Sequence, residues 1–185
     1  MFIGRLFLSL CVGLLLVAPC AVVARANEAT RVVVIPKPVL SPMNFLLGSW
    51  SCSKQDSSRP APYISMENYA VIQSGQWIEE TAVWNPVPWL PIKWISHDEI
   101  TYDSYRKRWV DVEYDDIGGY SITTSPGWAG NKMVWHDLAF NPSSRLPSVT
   151  DVTMMKVNDS KATWAWSRTS KSGKTIFEKN TCTKI

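Results

Sequence analysis

Ten times between Leu46 and Thr183 the chain repeats one pattern: a short run rich in Val, Ile, Thr, Trp and Tyr, then a break made of turn residues. The runs span 46–53, 63–73, 76–84, 94–103, 108–116, 120–124, 132–140, 150–157, 162–168 and 175–183. Segments of this length and composition are strands, and the breaks Ser74-Gly75, Gly118-Gly119, Gly127 to Asn131, Asn158-Asp159 and Ser172-Gly173 carry hairpin chemistry. No segment after Leu47 sustains a helical period. Sequential strands joined by short turns form an antiparallel meander, and closing the meander removes the two edges that an open sheet leaves unpaired. The expected fold is therefore all-β, an antiparallel up-and-down barrel of about ten strands.

The cysteines fit a closed sheet. Cys52 lies in the first run and Cys182 in the last, and the other two, Cys11 and Cys20, precede the domain. In a closed meander the first and last strands are neighbours, so a Cys52–Cys182 disulfide is expected, provided the protein leaves the reducing cytosol.

The N-terminus predicts that it does. Arg5 supplies a basic start, Leu6 to Val17 is mostly apolar, and Ala24-Arg25-Ala26 is an A-x-A site. This is a signal-peptide pattern over residues 1–26, with Asn27 as the new N-terminus and a secreted or periplasmic protein as the product. The alternative start is a lipid-anchored Cys20, which Pro19 disfavours. No later stretch is long and apolar enough to span a membrane as a helix, so the mature protein is not expected to be membrane-spanning. Residues 27–43 form an extended N-terminal arm in this reading, with Pro36, Pro38 and Pro42. Ser41-Pro42 reads as the cap and first position of one short turn ending at Leu47, at the start of a domain over 44–185.

Setting aside Arg5 and Arg25 leaves 17 basic and 16 acidic residues, a net charge of +1. That balance gives no footprint for nucleic acid. The unusual count is ten Trp, all after the leader. Each brings a large apolar surface and one N–H that needs an acceptor.

Period-two alternation assigns inward faces. It predicts Val110, Val112 and Tyr114 inward on the fifth strand, and Val134, His136, Leu138 and Phe140 on the seventh. On the ninth it predicts Ala162, Trp164 and Trp166, and on the first Trp50 and Cys52.

Asn44-Phe45-Leu46-Leu47-Gly48-Ser49-Trp50 resembles the opening of lipocalin-like, or calycin, barrels, in which a short helical turn runs into G-x-W on the first strand. Ile100 to Asp103, Arg108 to Val112 and Gly118 to Tyr120 are similar to small secreted bacterial proteins with a lipocalin-like or nitrobindin-like barrel. The resemblance implies structural roles for Gly48 and Trp50, the Trp plugging one end of the barrel. Gly127-Trp128 repeats the motif in what reads as a turn.

His136 is the sharpest candidate site residue. The resemblance to nitrobindin-type barrels implies a haem reading through His136, although the family histidine lies later in the chain. Without that resemblance, a rim or core histidine is the expectation, and no cofactor is assigned. His97, Glu99 and His136 could approach one metal ion from neighbouring strands, but two histidines are thin support and no metal site is expected. There is no G-x-S-x-G, H-E-x-x-H or G-x-G-x-x-G, and Glu79 and Glu80 face opposite sides of their strand. Glu178 shares the parity of Cys182 and, if buried, needs a partner such as Arg168. Asn158-Asp159-Ser160 matches a glycosylation sequon and reads as a turn.

The leading expectation is a binding protein that holds a small apolar or amphipathic molecule inside the barrel. Val112, Tyr114, His136, Leu138, Trp164 and Trp166 are its candidate wall, and no catalytic residue is assigned. An enzyme using His136 as base is the second reading. The third is an interaction protein with a filled barrel, working through the stiff loop 85–91, where Trp89 and Leu90 form a lid or partner surface. Oligomeric state and host cannot be read from the sequence.

Overall fold

The computed structural model describes residues 36–89, 91–140, 151–169 and 172–185, with the backbone alone for 137–140. Its strands are β1 (Gly48–Asp56), β2 (Tyr63–Ile72), β3 (Trp77–Trp84), β4 (Trp94–Asp103), β5 (Arg108–Asp115), β6 (Tyr120–Ser125), β7 (Trp128–Ala129), β8 (Lys132–Phe140), β9 (Val152–Asn158), β10 (Lys161–Thr169) and β11 (Thr175–Lys184). Each long strand pairs antiparallel with its sequence neighbours. The sheet closes into one ring, because β1 pairs with β11 and β6 pairs with β8 past the short β7. The result is a ten-stranded antiparallel barrel, with β7 as a two-residue addition on β8. All ten sequence-predicted strands are present.

The closing seam carries the disulfide. Cys52 lies directly opposite Cys182 in the β1–β11 register, and their sulfurs are bonded. Both side chains are wholly buried. Two strands separated by nearly the whole domain are thus joined covalently where they also share a hydrogen-bond ladder.

The end of the barrel where β1 begins is plugged. A 3₁₀ turn over Ser41–Leu46 lies across it, with Leu40 at the cap position and no side-chain cap bond. The expected Ser41 cap is therefore absent; Ser41 and Pro42 begin the turn itself. From this turn Met43 and Leu46 are wholly buried, each contributing about 2 kcal/mol by removal from water. Trp50, at 0 % exposure, donates its indole N–H to the Leu46 carbonyl, so the turn and the first strand brace each other. Gly48 has a φ of 108°, which L side chains rarely adopt, and a Cβ there would come to 3.3 Å from Lys184 Cε. The Gly and Trp of the opening signature thus have distinct structural causes. Trp128, expected in a turn, lies on β7 and packs edge-on against Phe45 at 5.8 Å.

Two facing assignments are reversed. On β5 the inward residues are Trp109, Asp111, Glu113 and Asp115, with Trp109 only 4 % exposed in the core. Val110, Val112 and Tyr114 hold the outer face, where Tyr114 stacks on His97 and donates to Glu99. On β8 the buried residues are Met133 and Trp135, which sends Val134 and His136 outward. In both strands alternation held, but the larger aromatic side chain set which parity faced the core. Of the arm's described residues, 36–40 have no regular structure and 41–43 belong to the 3₁₀ turn, and the leader reading lies outside the described residues.

Candidate functional site

Above the plug the barrel is not filled. A cavity of about 280 Å³ opens toward the other end of the barrel, and its two walls differ in chemistry. The β8–β10 side presents Trp135, Val152, Met154, Trp164 and Trp166. The β2–β5 side presents Glu67, Glu80, Asp98 and Asp111, with Glu113 more exposed near the rim.

The acidic wall follows from register. Glu80 on β3 lies directly opposite Asp98 on β4, which lies directly opposite Glu113 on β5. Like charges opposite one another across a sheet destabilise it. Burial raises all four deeper carboxyls, and their mutual repulsion raises three of them further. Asp98 is pushed well above its ordinary range by burial and then by Glu80, Asp111 and Glu113. Asp111 is raised to about 8 by burial and by Glu113. Glu80 is raised well above its range by burial and by Glu67, and Glu67 is raised by burial. The hydrogen bond between these last two lowers Glu67 and raises Glu80. Glu67 also accepts from Ser65 at 2.8 Å and from Tyr69 at 3.2 Å.

Charge is arranged differently beside the mouth. Arg168 on β10 bonds Glu178 on β11 through Nε and Asp56 on β1 at 3.1 Å. Glu178 also meets Lys54 at 3.1 Å. The Lys54 ammonium lies 4.6 Å from the Trp166 ring centre and 5.2 Å from that of Trp84. Burial opposes its charge, but Tyr63 and Glu178 outweigh burial and raise its pKa. The expected Glu178–Arg168 pairing is thus present, as part of a four-residue network. Removing Arg168 takes the guanidinium from two nearly buried carboxylates and leaves Glu178 to Lys54 and Asp56 to Ser58, so Arg168→Met is expected to cost about 3 kcal/mol in urea unfolding.

Of the sequence-predicted wall, Trp164 and Trp166 line the cavity. Val112, Tyr114 and His136 do not, and the Leu138 side chain lies outside the described residues. His136 is 52 % exposed and bonds Asp151 at 2.7 Å across the outer surface. A haem inside the barrel could not be ligated from there, and among the described residues no titratable group of the cavity stands beside this ring for a His136 base to use. Its replacement by Ala is expected to shift stability by less than about 0.5 kcal/mol, read from a thermal melt. His97 on β4 bonds Thr81, lies 3.6 Å from Glu79, and is separated from the β8 histidine by β5 and β6. The His97, Glu99 and His136 constellation is therefore not assembled. Trp89 packs on Tyr63 at 6.0 Å, with the Arg59 guanidinium 5.7 Å from its ring, so it leans on the rim; Leu90 lies outside the described residues.

Among the described residues, Cys52, Cys182 and Glu67 are the one set of ligand-type atoms that falls within 4.8 Å of one another. With the two sulfurs bonded to each other, the set offers no thiolate to a metal.

The sequence signal for the acidic wall was present but unread. Glu80, Asp98 and Asp111 share inward parity with Ile78, Ile100 and Trp109 on their strands.

The closed ten-stranded antiparallel barrel fits a calycin-like fold. No family profile and no curated protein matches the chain. Among solved structures it is similar to Rv2717c from M. tuberculosis, with a TM-score of 0.55 at 12 % identity, over 79 % of this chain and 96 % of that one. At that identity the likeness speaks for the fold alone.

Proposed function

We propose that this protein is an exported binding protein that holds a small amphipathic molecule in the open half of its barrel. The single observation that carries the reading is the cavity itself, with tryptophan and methionine on one wall and carboxyls on the other. Pockets that bind small molecules combine apolar lining with a few placed polar groups, and this one has both. A barrel working only through its outer surface would gain nothing from an unfilled interior. Export is supported by the leader pattern together with the disulfide, which persists in oxidising compartments.

Native mass spectrometry of protein purified from its own host tests the reading directly. A co-purifying small molecule that is lost in Trp164→Ala supports it. An unliganded spectrum, together with no change in tryptophan fluorescence across a panel of amphiphiles, would refute it. N-terminal sequencing of the exported protein is expected to begin at Asn27, and a lipidated Cys20 start would overturn the cleavage site.

A further inference from the structure

The aromatic and acidic walls face each other across one cavity, and they ask for a particular ligand. We infer that the cavity selects an organic cation: a primary or substituted ammonium directed at Glu80, Asp98 and Asp111, with an apolar body lying on Trp135 and Trp164. This deepens the proposed function and rests on it.

Three observations point the same way. First, the cations within the cavity are already engaged. Lys54 and Arg168 bond Glu178 and Asp56, and no other Lys or Arg lines the cavity among the described residues. Second, two wall acceptors, Asp111 Oδ1 and Asn180 Oδ1, are buried without a hydrogen-bond donor among the described residues. Buried acceptors left unmatched cost free energy, and a bound N–H group would satisfy them. Third, the barrel already seats one ammonium against aromatic rings, that of Lys54 on Trp166 and Trp84. Ring faces attract cations, so the wall chemistry is suited to the proposed head group.

A metal ion fits less well. Calcium gathers six to eight oxygens at about 2.3–2.6 Å. The wall carboxyls are spread over β2 to β5, and among the described residues the set of three or more ligand atoms within 4.8 Å of one another is the disulfide pair with Glu67. Carboxyls on separate strands suit an ammonium, whose N–H groups point in different directions, better than an ion that needs six or more oxygens converged on it.

The titratable and charged groups of the cavity are Glu67 and Tyr69 on β2, Glu80 on β3, Asp98 on β4, Asp111, Glu113 and Asp115 on β5, Tyr120 on β6, Lys54 on β1, Arg168 on β10 and Glu178 on β11. A cation entering among carboxyls that burial keeps protonated draws their protons off. Binding should therefore release protons at neutral pH and weaken in acid.

The test uses three probes with one chain and different heads: n-octylammonium, octanol and octanoate, titrated by calorimetry and tryptophan fluorescence into the purified protein with its disulfide intact. Octylammonium is expected to bind at least about tenfold tighter than octanol, with octanoate weakest. In Asp98→Asn its affinity falls about tenfold while octanol changes by less than about twofold. Glu80→Gln provides a second cavity variant should Asp98→Asn fail to fold, and Glu99→Gln, on the outer face, should change nothing. Heats measured in buffers of different ionisation enthalpy should report proton release for octylammonium alone. If octanol and octylammonium bind equally, the cation inference fails and the cavity reading stands. If none of the three binds, both fail. If calcium chloride alone stabilises the protein through Asp98 while octylammonium does not, the wall is an inorganic cation site and the inference is overturned.

Discussion

Opening the Cys52–Cys182 bond is expected to lower the unfolding free energy by up to about 5 kcal/mol, the largest effect of any single covalent change in the domain. The bond spans 130 positions, so in the unfolded chain it closes a loop almost as long as the barrel. Loop-closure entropy grows with the logarithm of that length, and the constraint falls on the unfolded state far more than on the folded one. In the folded barrel the two residues are held opposite each other by the β1–β11 ladder whether or not the sulfurs are joined. A Cys52→Ala, Cys182→Ala double variant should therefore keep the same strand pairing and unfold at much lower denaturant. Both cysteines are at 0 % exposure, so dithiothreitol alone should act slowly on native protein and quickly only where denaturant opens the seam. A double variant within about 1 kcal/mol of the parent in urea would show that β1 and β11 remain paired after unfolding, against the entropic account.

The strand map was legible because two independent signals coincide. Turn chemistry at Ser74-Gly75, Gly118-Gly119 and Ser172-Gly173 punctuates the β-rich runs, and Cys52 and Cys182 tie the ends of the meander together. Which face pointed inward was less legible. Alternation divides β5 into Val110, Val112, Tyr114 and Trp109, Asp111, Glu113, and summed hydrophobicity favours the first set. The structure chooses the second because Trp109 belongs to the plug, and Asp111 follows Trp109 inward by parity alone. On β8 the same competition pits Val134 and His136 against Met133 and Trp135, and the larger apolar pair is the one buried. The acidic wall was hidden for a further reason. Glu80, Asp98 and Glu113 stand far apart in sequence and become neighbours only through the registers of β3, β4 and β5. A set of inward carboxyls conflicts with the rule that barrels fill with apolar side chains. Local rules fail most instructively where a site needs something other than stability.

That conflict predicts an unusual pH profile for the unliganded protein. In the unfolded chain carboxyls ionise near pH 4. In the folded barrel Asp111 ionises at about 8, and Glu80 and Asp98 are also raised by burial and by one another. Between those limits the folded state holds protons that the unfolded state has lost, so raising the pH favours unfolding. The contribution of Asp111 is whole below about pH 4, falls through the window, and levels off above about pH 8, and Glu80 and Asp98 act in the same direction. For Asp111 alone the difference sets a ceiling on the order of 5 kcal/mol. Asp56 opposes this in acid. Although burial pushes it up, hydrogen bonds from Ser58 and Arg168 hold it below its ordinary value, so its contribution is lost as the pH falls. The two limbs together place the maximum at about pH 4, with a decline of several kcal/mol toward about pH 9. Chemical denaturation across that range measures the decline. Asp98→Asn should raise stability at neutral pH and flatten the alkaline limb, since Asn needs no proton taken up on folding to stay neutral between Glu80 and Glu113. A profile that is flat from about pH 5 to 9 in the parent would mean that the wall carboxyls are ionised and solvated in the folded state. Cation binding would then release no protons at neutral pH, against the proton release expected above.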